Sequence, residues 1–274
     1  MVKQMAIVNL TPDSFYEPSR VWSNKPDAAM ARIHQFLADG ADIIDLGAVS
    51  TRPGAADVPL EEEWRRLEDV LAALSALRAR RLPPGEAKTW EKPPLGGTSA
   101  RSAATSAAKL PLFSIDTTSA EIVRRAYKVI GEFIVNDISA GEDDPEMLPT
   151  VAELGLPYIA MHKRGNPRSM DSLADYPDGI MAELLRYFKA FSAKAEELGI
   201  NDWILDPGLG FAKNIEQNWE ILENLDDLKV FGRPILIGAA DKRFTHGDTA
   251  AAHELALKHG ADILRVHELL PIGR

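Results

Sequence analysis

Polar and ionisable residues recur where the short apolar runs of this chain end. They are Asn9, followed by Thr11-Pro12-Asp13; Asp45, followed by Ser50-Thr51-Arg52; Asp116; the pair Asn136-Asp137; His162; Asp206; Lys242, just past its run; and Arg265 with His267. A run buried on both faces has no cheap reason to end this way, because an unpaired buried polar group costs roughly 1–3 kcal/mol. One or two such ends mean only that water is near; the whole set points to a site. Asp116, Asn136 and Asp206 supply carboxylate acceptors and an amide donor, the groups that read the N–H and C=O edges of a flat heterocycle. Arg52, Lys242, Arg265 and His267 supply positive charge for a phosphate or diphosphate, with arginine able to bind in a bidentate way. Asn9 carries a hard oxygen that, with phosphate oxygens and water, completes a Mg²⁺ site. The guest these groups describe is a planar polar ring with an anionic leaving group, although spacing alone does not name the ring.

The elements that must carry these residues alternate. The apolar runs lie at 5–9, 42–47, 111–116, 132–137, 157–162, 202–206, 234–239 and 262–267, and amphipathic patterns at 26–39, 60–80, 118–130, 144–154, 180–198, 214–228 and 248–259. The runs are short, β-branched and nearly continuous in hydrophobicity, as strands covered on both faces should be. Gly-Ala-Asp occurs twice, at 40–42 and 260–262, each time closing a helical pattern on glycine and opening a strand. Such alternation predicts a parallel sheet in a single domain, 1–274, closed as a (β/α)8 TIM barrel, whose functional residues gather at the C-terminal rim of the strands. A doubly wound open sheet is the alternative; the absence of G-x-G-x-x-G after the first strand weakens it. Two irregularities stand out. Residues 83–109, rich in Pro, Gly, Ser and Ala, read as a flexible insertion before strand 3, on the face away from the strand C-termini. After the eighth strand the sequence ends LLPIGR, so the eighth helix is missing or truncated, which would leave apolar surface near strands one and eight for a subunit partner.

With 45% hydrophobic and 26% charged residues in 274, the chain has ordinary soluble composition, and having no cysteine it excludes disulfides, thiolate metal sites and a cysteine nucleophile. No run approaches the roughly 18 apolar residues of a membrane span, and the start lacks the pattern of a signal peptide, so no membrane and a cytoplasmic home are expected. A formal charge of −10 without a basic stripe argues against nucleic acid as the main partner. Trp203 and Trp219 read as packing residues, Lys213 as a loop cation, and EEEWRRLED (61–69) as a solvated helix face. His162 is left open between a structural histidine and a ligand contact.

NLTPDSF (9–15), GADIIDLGAVSTRPGA (40–55), SIDT (114–117), NDISAG (136–141), MH…GNPRSM (161–170), ILDPGLGFAK (204–213), LIGAADKRF (236–244) and GADILRVHEL (260–269) together resemble the ordered signature blocks of the dihydropteroate synthases. The resemblance implies a pterin-binding barrel in folate biosynthesis and a sulfonamide target. The family joins p-aminobenzoate to 6-hydroxymethyl-7,8-dihydropterin diphosphate and releases diphosphate with the help of Mg²⁺. It also implies roles: Asn9 for metal and diphosphate, and Asp116, Asn136, Asp206 and Lys242 for the pterin. Thr51 and Arg52 fall in a mobile loop over p-aminobenzoate and diphosphate, Phe211 in the p-aminobenzoate wall, and Arg265 and His267 at the diphosphate. Asp116, Lys242 and Arg265 then form the catalytic group, and loops 10–25 and 48–58 close to exclude water. The family commonly dimerises, so a homodimer is expected. Departures are Ala240-Asp241-Lys242-Arg243-Phe244 where the family writes Ser-Arg-Lys-Ser-Phe, Ala212 for a usual glycine, and a short 245–261. Arg243 would either pair with the p-aminobenzoate carboxylate or fill that pocket. These departures motivate an alternative, a catalytically impaired pterin-binding homologue or partner subunit. STRPG and the RVH ending speak against a third reading, a methyltetrahydrofolate methyltransferase.

Overall fold

The apolar runs become eight parallel strands in one sheet: β1 (Lys3–Asn9), β2 (Ile43–Gly47), β3 (Leu112–Asp116), β4 (Ile134–Asp137), β5 (Tyr158–Met161), β6 (Trp203–Asp206), β7 (Leu236–Ile237) and β8 (Ile263–Val266). Between them run α1 (Pro26–Asp39), α2 (Leu60–Arg81), α3 (Ala120–Ile130), α4 (Met147–Leu154), α5 (Ile180–Leu198), α6 (Ile215–Glu223) and α7 (Thr249–Lys258). The computed structural model describes residues 2–11, 26–50, 57–81, 112–165, 170–240 and 242–272. The insertion expected at 83–109 lies outside them.

The strand order, β6-β5-β4-β3-β2-β1-β8-β7, follows the chain around a ring. A parallel bridge between Leu205 and Ile235, with Leu205 N–H donating to the Pro234 carbonyl at 2.9 Å, joins β6 to β7 and closes it. An open doubly wound sheet has no such closure. Side chains alternate about each strand. One inward residue per strand forms a single apolar plug: Met5, Ile43, Leu112, Ile134, Ile159, Ile204, Leu236 and Ile263. The alternate positions, among them Ala6, Val8, Ile44, Leu46, Phe113, Ile115, Trp203 and Leu205, pack outward beneath the helices. Both faces are therefore apolar at the base of the barrel, which is why the runs read as continuous.

The two Gly-Ala-Asp joints do the same work. Gly40 and Gly260 take φ of 86° and 88°, the left-handed turn that ends each helix. Asp42 then accepts from Gln4 N–H at 2.9 Å, and Asp262 from Ile235 N–H at 2.9 Å, so each aspartate caps the start of the neighbouring strand. The repeat is structural. The pattern expected over 214–228 divides instead: α6 stops at Glu223, and Leu225–Phe231 continues as a 3-10 helix. The break falls at Asn224, whose side-chain N–H donates to the Glu220 carbonyl at 2.8 Å, competing with the helix ladder.

No helix follows β8 among the described residues. The surface near β1 and β8, expected to be bare, is partly covered all the same. Leu269, Leu270 and Ile272 lean on the core. Gln4 brackets Leu270, donating Nε2–H to its carbonyl at 3.0 Å and accepting its N–H at 2.6 Å.

Candidate active site

The alternation that builds the plug also selects what stands above it. Counting two residues up from each plug position gives Ile7, Asp45, Ser114, Asn136, Met161, Asp206, Gly238 and Arg265 on the inward side; two more give Asn9, Gly47, Asp116, Ile138 and His267 at the rim. A polar layer thus sits on an apolar one at the C-terminal end of the barrel. Asp137 and His162, one step out of phase, fall outward.

Hydrogen bonds confirm the convergence across four strands. Arg265 on β8 donates Nε–H to Asp45 Oδ2 at 2.8 Å and Nη2–H to Asp116 Oδ2 at 2.8 Å, while Nη2 also lies 2.7 Å from Asp45 Oδ2. Asn136 Nδ2–H points to the same Asp45 oxygen at 3.3 Å. Asp45 has no exposed side-chain surface, Asp116 keeps 11% and Arg265 keeps 24%. Two carboxyl groups share one guanidinium here. Burial raises Asp116 to about 7, Arg265 pulls it down, and Asp45, Glu63 and Asp137 push it up again. Burial opposes the charge on Arg265, yet Asp45 and Asp116 hold its pKa above the usual arginine value.

The other wall is the loop after β6. Burial raises Asp206, against the Gly208 N–H that donates to its Oδ1 at 2.8 Å and against the cations Lys242, Arg265 and Lys213. The chain then passes so close to β5 that a Cβ on Gly208, at φ 70°, would sit 2.0 Å from the His162 carbonyl oxygen. Gly210 N–H is held by Asn218 Oδ1 at 2.7 Å, and Tyr176 O–H donates to the Ala212 carbonyl at 2.8 Å. Phe211 is thereby fixed in a small apolar cluster with Ile138, Met161, Met170 and Ala212. Lys242 Nζ lies 4.4 Å from the centre of its ring. Burial lowers Lys242 to about 8, helped by Arg265 and opposed by Asp206 and Asp116. The result is a cup with a floor of hydrogen-bonding polar groups, whose β4–β6 side offers an apolar face beside the half-buried Lys242.

Of the residues singled out in sequence, Asp116, Asn136, Asp206, Phe211, Lys242 and Arg265 meet in this cup, with Asn9 at the end of β1 and His267 just past β8. Thr51, Arg52, Asp13 and Asp241 lie outside the described residues, as does most of the two loops at 10–25 and 48–58. Asp137 serves the fold: Oδ1 accepts from Ser139 N–H and O–H, each at 2.7 Å, and Oδ2 from Gly141 N–H at 2.8 Å and Tyr158 O–H at 2.6 Å. His162 is buried behind β5 between Tyr176 and Tyr187. Arg243 is exposed, so it does not fill the cup.

Two residues weigh more than sequence reasoning allowed. Asp45 stands among the polar strand ends, and the two-residue period that places Asp116 inward places it there too. Lys213 is a half-buried tie rather than a loop cation. Its Nζ–H groups reach the Phe211 carbonyl at 2.9 Å and His162 Nδ1 at 2.9 Å. Burial lowers it to about 7, with Asp206 opposing. No signal in the sequence announced that tie, since it depends on β5 and the β6 loop meeting in space.

The sequence profile described as "Pterin binding enzyme" matches residues 5–82 and 101–267. The chain is 38% identical to the "Folic acid synthesis protein fol1" of Pneumocystis carinii, covering 97% of this chain and 34% of that much longer protein. It is 36% identical to the "Dihydropteroate synthase" of Synechocystis sp., over 97% of this chain and 84% of the relative. Among solved structures, the Yersinia pestis dihydropteroate synthase with a sulfonamide drug superposes with a TM-score of 0.79 at 30% identity, over 97% of this chain and 89% of that one. The Xanthomonas albilineans dihydropteroate synthase with 4-aminobenzoic acid does so with a TM-score of 0.74 at 33% identity, over 97% and 88%.

Proposed function

The chain belongs to the pterin binding enzyme family, and on that premise we propose that it is a dihydropteroate synthase, a transferase that joins p-aminobenzoate to 6-hydroxymethyl-7,8-dihydropterin diphosphate. The observation that carries this reading is the meeting of Asp116, Asn136, Asp206, Lys242 and Arg265 in one cup beside Phe211. The relatives bound to a sulfonamide and to 4-aminobenzoic acid support the choice of second substrate.

In this reading the two carboxylates and the amide accept and donate along the edge of the pterin. Asp116 is poised for this. Its pKa of about 7 lets it hold or release a proton near neutrality, so it can match whichever tautomer of the ring binds. The departing diphosphate needs positive charge. Arg265 offers Nη1 on the side away from its two carboxylates, with His267 one inward step above it, just past β8. As the bond to diphosphate loosens, the carboxylate-rich floor stabilises positive charge on the ring and its methylene. The arylamine then attacks from the Phe211 side, so no protein nucleophile is required. Water competes for that carbon, and closure of loop 10–25 and of loop 48–58, which carries Thr51 and Arg52, would exclude it.

The metal belongs to the same proposal. Among the described residues no group of three or more His, Cys, Asp or Glu could hold a metal ion. A single amide oxygen fits an ion that takes most of its ligands from phosphates and water. Asn9 is that residue, its Oδ1 facing the space above Gly47 on the Asp116 side. Bound Mg²⁺ would neutralise charge on the diphosphate. A homodimer and a cytoplasmic location complete the proposal; no described helix is long and apolar enough to cross a membrane. The test is release of diphosphate by the purified protein. Release that requires both substrates and Mg²⁺ is expected; folded protein that binds a pterin without turnover would favour the impaired homologue.

A further inference from the structure

We propose that Asp45 is a positioning residue for the pterin end of the site, fixing Arg265 and Asn136 from beneath without itself reaching the guest. The proposal rests on the reading of the cup as the pterin site. Asp45 has no exposed side-chain surface, lies one inward step below the rim on β2, and spends Oδ2 on three donors: Arg265 Nε at 2.8 Å, Arg265 Nη2 at 2.7 Å and Asn136 Nδ2 at 3.3 Å. Those donors come from β8 and β4, on opposite sides of β2. One oxygen therefore sets the direction of two side chains that the mechanism uses.

The geometry of the guanidinium makes this consequential. Arg265 is a planar fork, so fixing Nε and Nη2 fixes the plane and the aim of Nη1. Asp116 takes only one Nη2 hydrogen, which leaves the fork free to swing about that single contact. Asp45 adds the second point and removes the swing. The Asp45 charge also bears on Asp116, which it helps to push up. Asp45 thus affects both partners in the pterin floor while remaining sealed beneath them.

The test uses the full chain and the shape-conserving variant Asp45→Asn. In wild-type protein the Arg265 Nε–H resonance should be distinct and slow to exchange with water; in Asp45→Asn it should move and exchange at least about tenfold faster. The KM for the pterin substrate should rise at least about tenfold while the KM for p-aminobenzoate stays within about threefold. Because Asp45 acts chiefly through Arg265, the double variant Asp45→Asn/Arg265→Met should lose clearly less activity than the product of the two single losses, the remainder being the Asn136 contact. An Arg265 resonance unchanged in Asp45→Asn, or losses that multiply in the double variant, would overturn the proposal. Should Asp45→Asn fail to fold, Arg265→Met reads the same contact from the other side: the Asp45 carboxyl carbon resonance shifts, and an unmoved one overturns the idea. Absence of turnover in the wild type would sink the synthase reading instead, and the resonances would still decide the role of Asp45.

Discussion

Replacing Asp116 with asparagine should make the ligand-free protein more stable and its pterin binding worse. The change keeps the shape and removes a charge. In the folded chain, burial first and then Asp45, Glu63 and Asp137 raise this carboxyl from 3.8 to about 7, against the pull of Arg265. A carboxyl whose folded value is raised is easiest to bury when protonated. The handicap is absent below the unfolded value and grows as pH rises to about 7, where it reaches about 4 kcal/mol at 1.36 kcal/mol per pH unit. The amide escapes this handicap but gives up part of the contact with Arg265, so a net gain of about 1–4 kcal/mol is expected at neutral pH. At roughly 2 °C per kcal/mol for a chain of this size, that is a melting midpoint roughly 2–8 °C higher. Melting both proteins without ligand from pH 4 to pH 7.5 gives the assay, with pterin titrations in parallel. The gap should close towards pH 4, and pterin affinity should fall at least about tenfold at pH 7.5 for loss of a charged partner. A variant less stable than wild type at pH 7.5, or a gap that persists at pH 4, would refute the electrostatic reasoning.

Three further outcomes follow from the site. Gly208→Ala should cost about 1–2 kcal/mol for the left-handed backbone alone, and the clash with the His162 carbonyl should displace the Asp206–Phe211 loop enough to lower kcat/KM on the order of a hundredfold; denaturant midpoints and kinetics check both. Lys213→Met removes the tie on the Phe211 carbonyl, so the KM for p-aminobenzoate should rise about fivefold, the worth of one hydrogen bond, with the pterin KM unchanged; equal effects on the two substrates would contradict it. His162 is held at about 2, chiefly by burial and then by Lys213 and Arg164. A histidine lowered in this way lends stability above its unfolded value of about 6.5 and loses it as pH falls below, by about 1.4 kcal/mol per pH unit. Comparing denaturant midpoints of wild type and His162→Gln at pH 7.5 and 5 should show wild type losing more on acidification, and parallel losses would contradict that.

The barrel was legible because each strand wrote its own two faces. Continuous runs such as Ile43–Ile44 and Ile204–Leu205 can be covered on both sides only in a sheet wrapped by helices, and the glycines at 40 and 260 mark where helices end. Most of the cup was legible for the same reason, since Asn9, Asp116, Asn136, Asp206 and Arg265 all lie on the inward phase above the apolar plug. That phase also separates Asp116 from Asp137 and Arg265 from His162, a distinction the plain census of polar strand ends could not make. Asp45 is a partial case: it stood among the polar run ends, but nothing in the sequence showed that three donors converge on it. The Lys213 tie was not legible at all, because it joins residues 51 positions apart through a close approach that only Gly208 permits. The partial cover over β1 and β8 was not legible, because a helix was sought there, whereas a short irregular stretch bracketed by Gln4 does part of that covering.

The most direct test of the central claim is a crystal structure of this protein with a pterin diphosphate analogue. The ring should lie along Asp116, Asn136 and Asp206 with Lys242 beside it, and its anionic end should meet Arg265 Nη1 near His267. A pterin bound elsewhere, or one in the cup that leaves Asp116 and Asp206 untouched, would contradict the account.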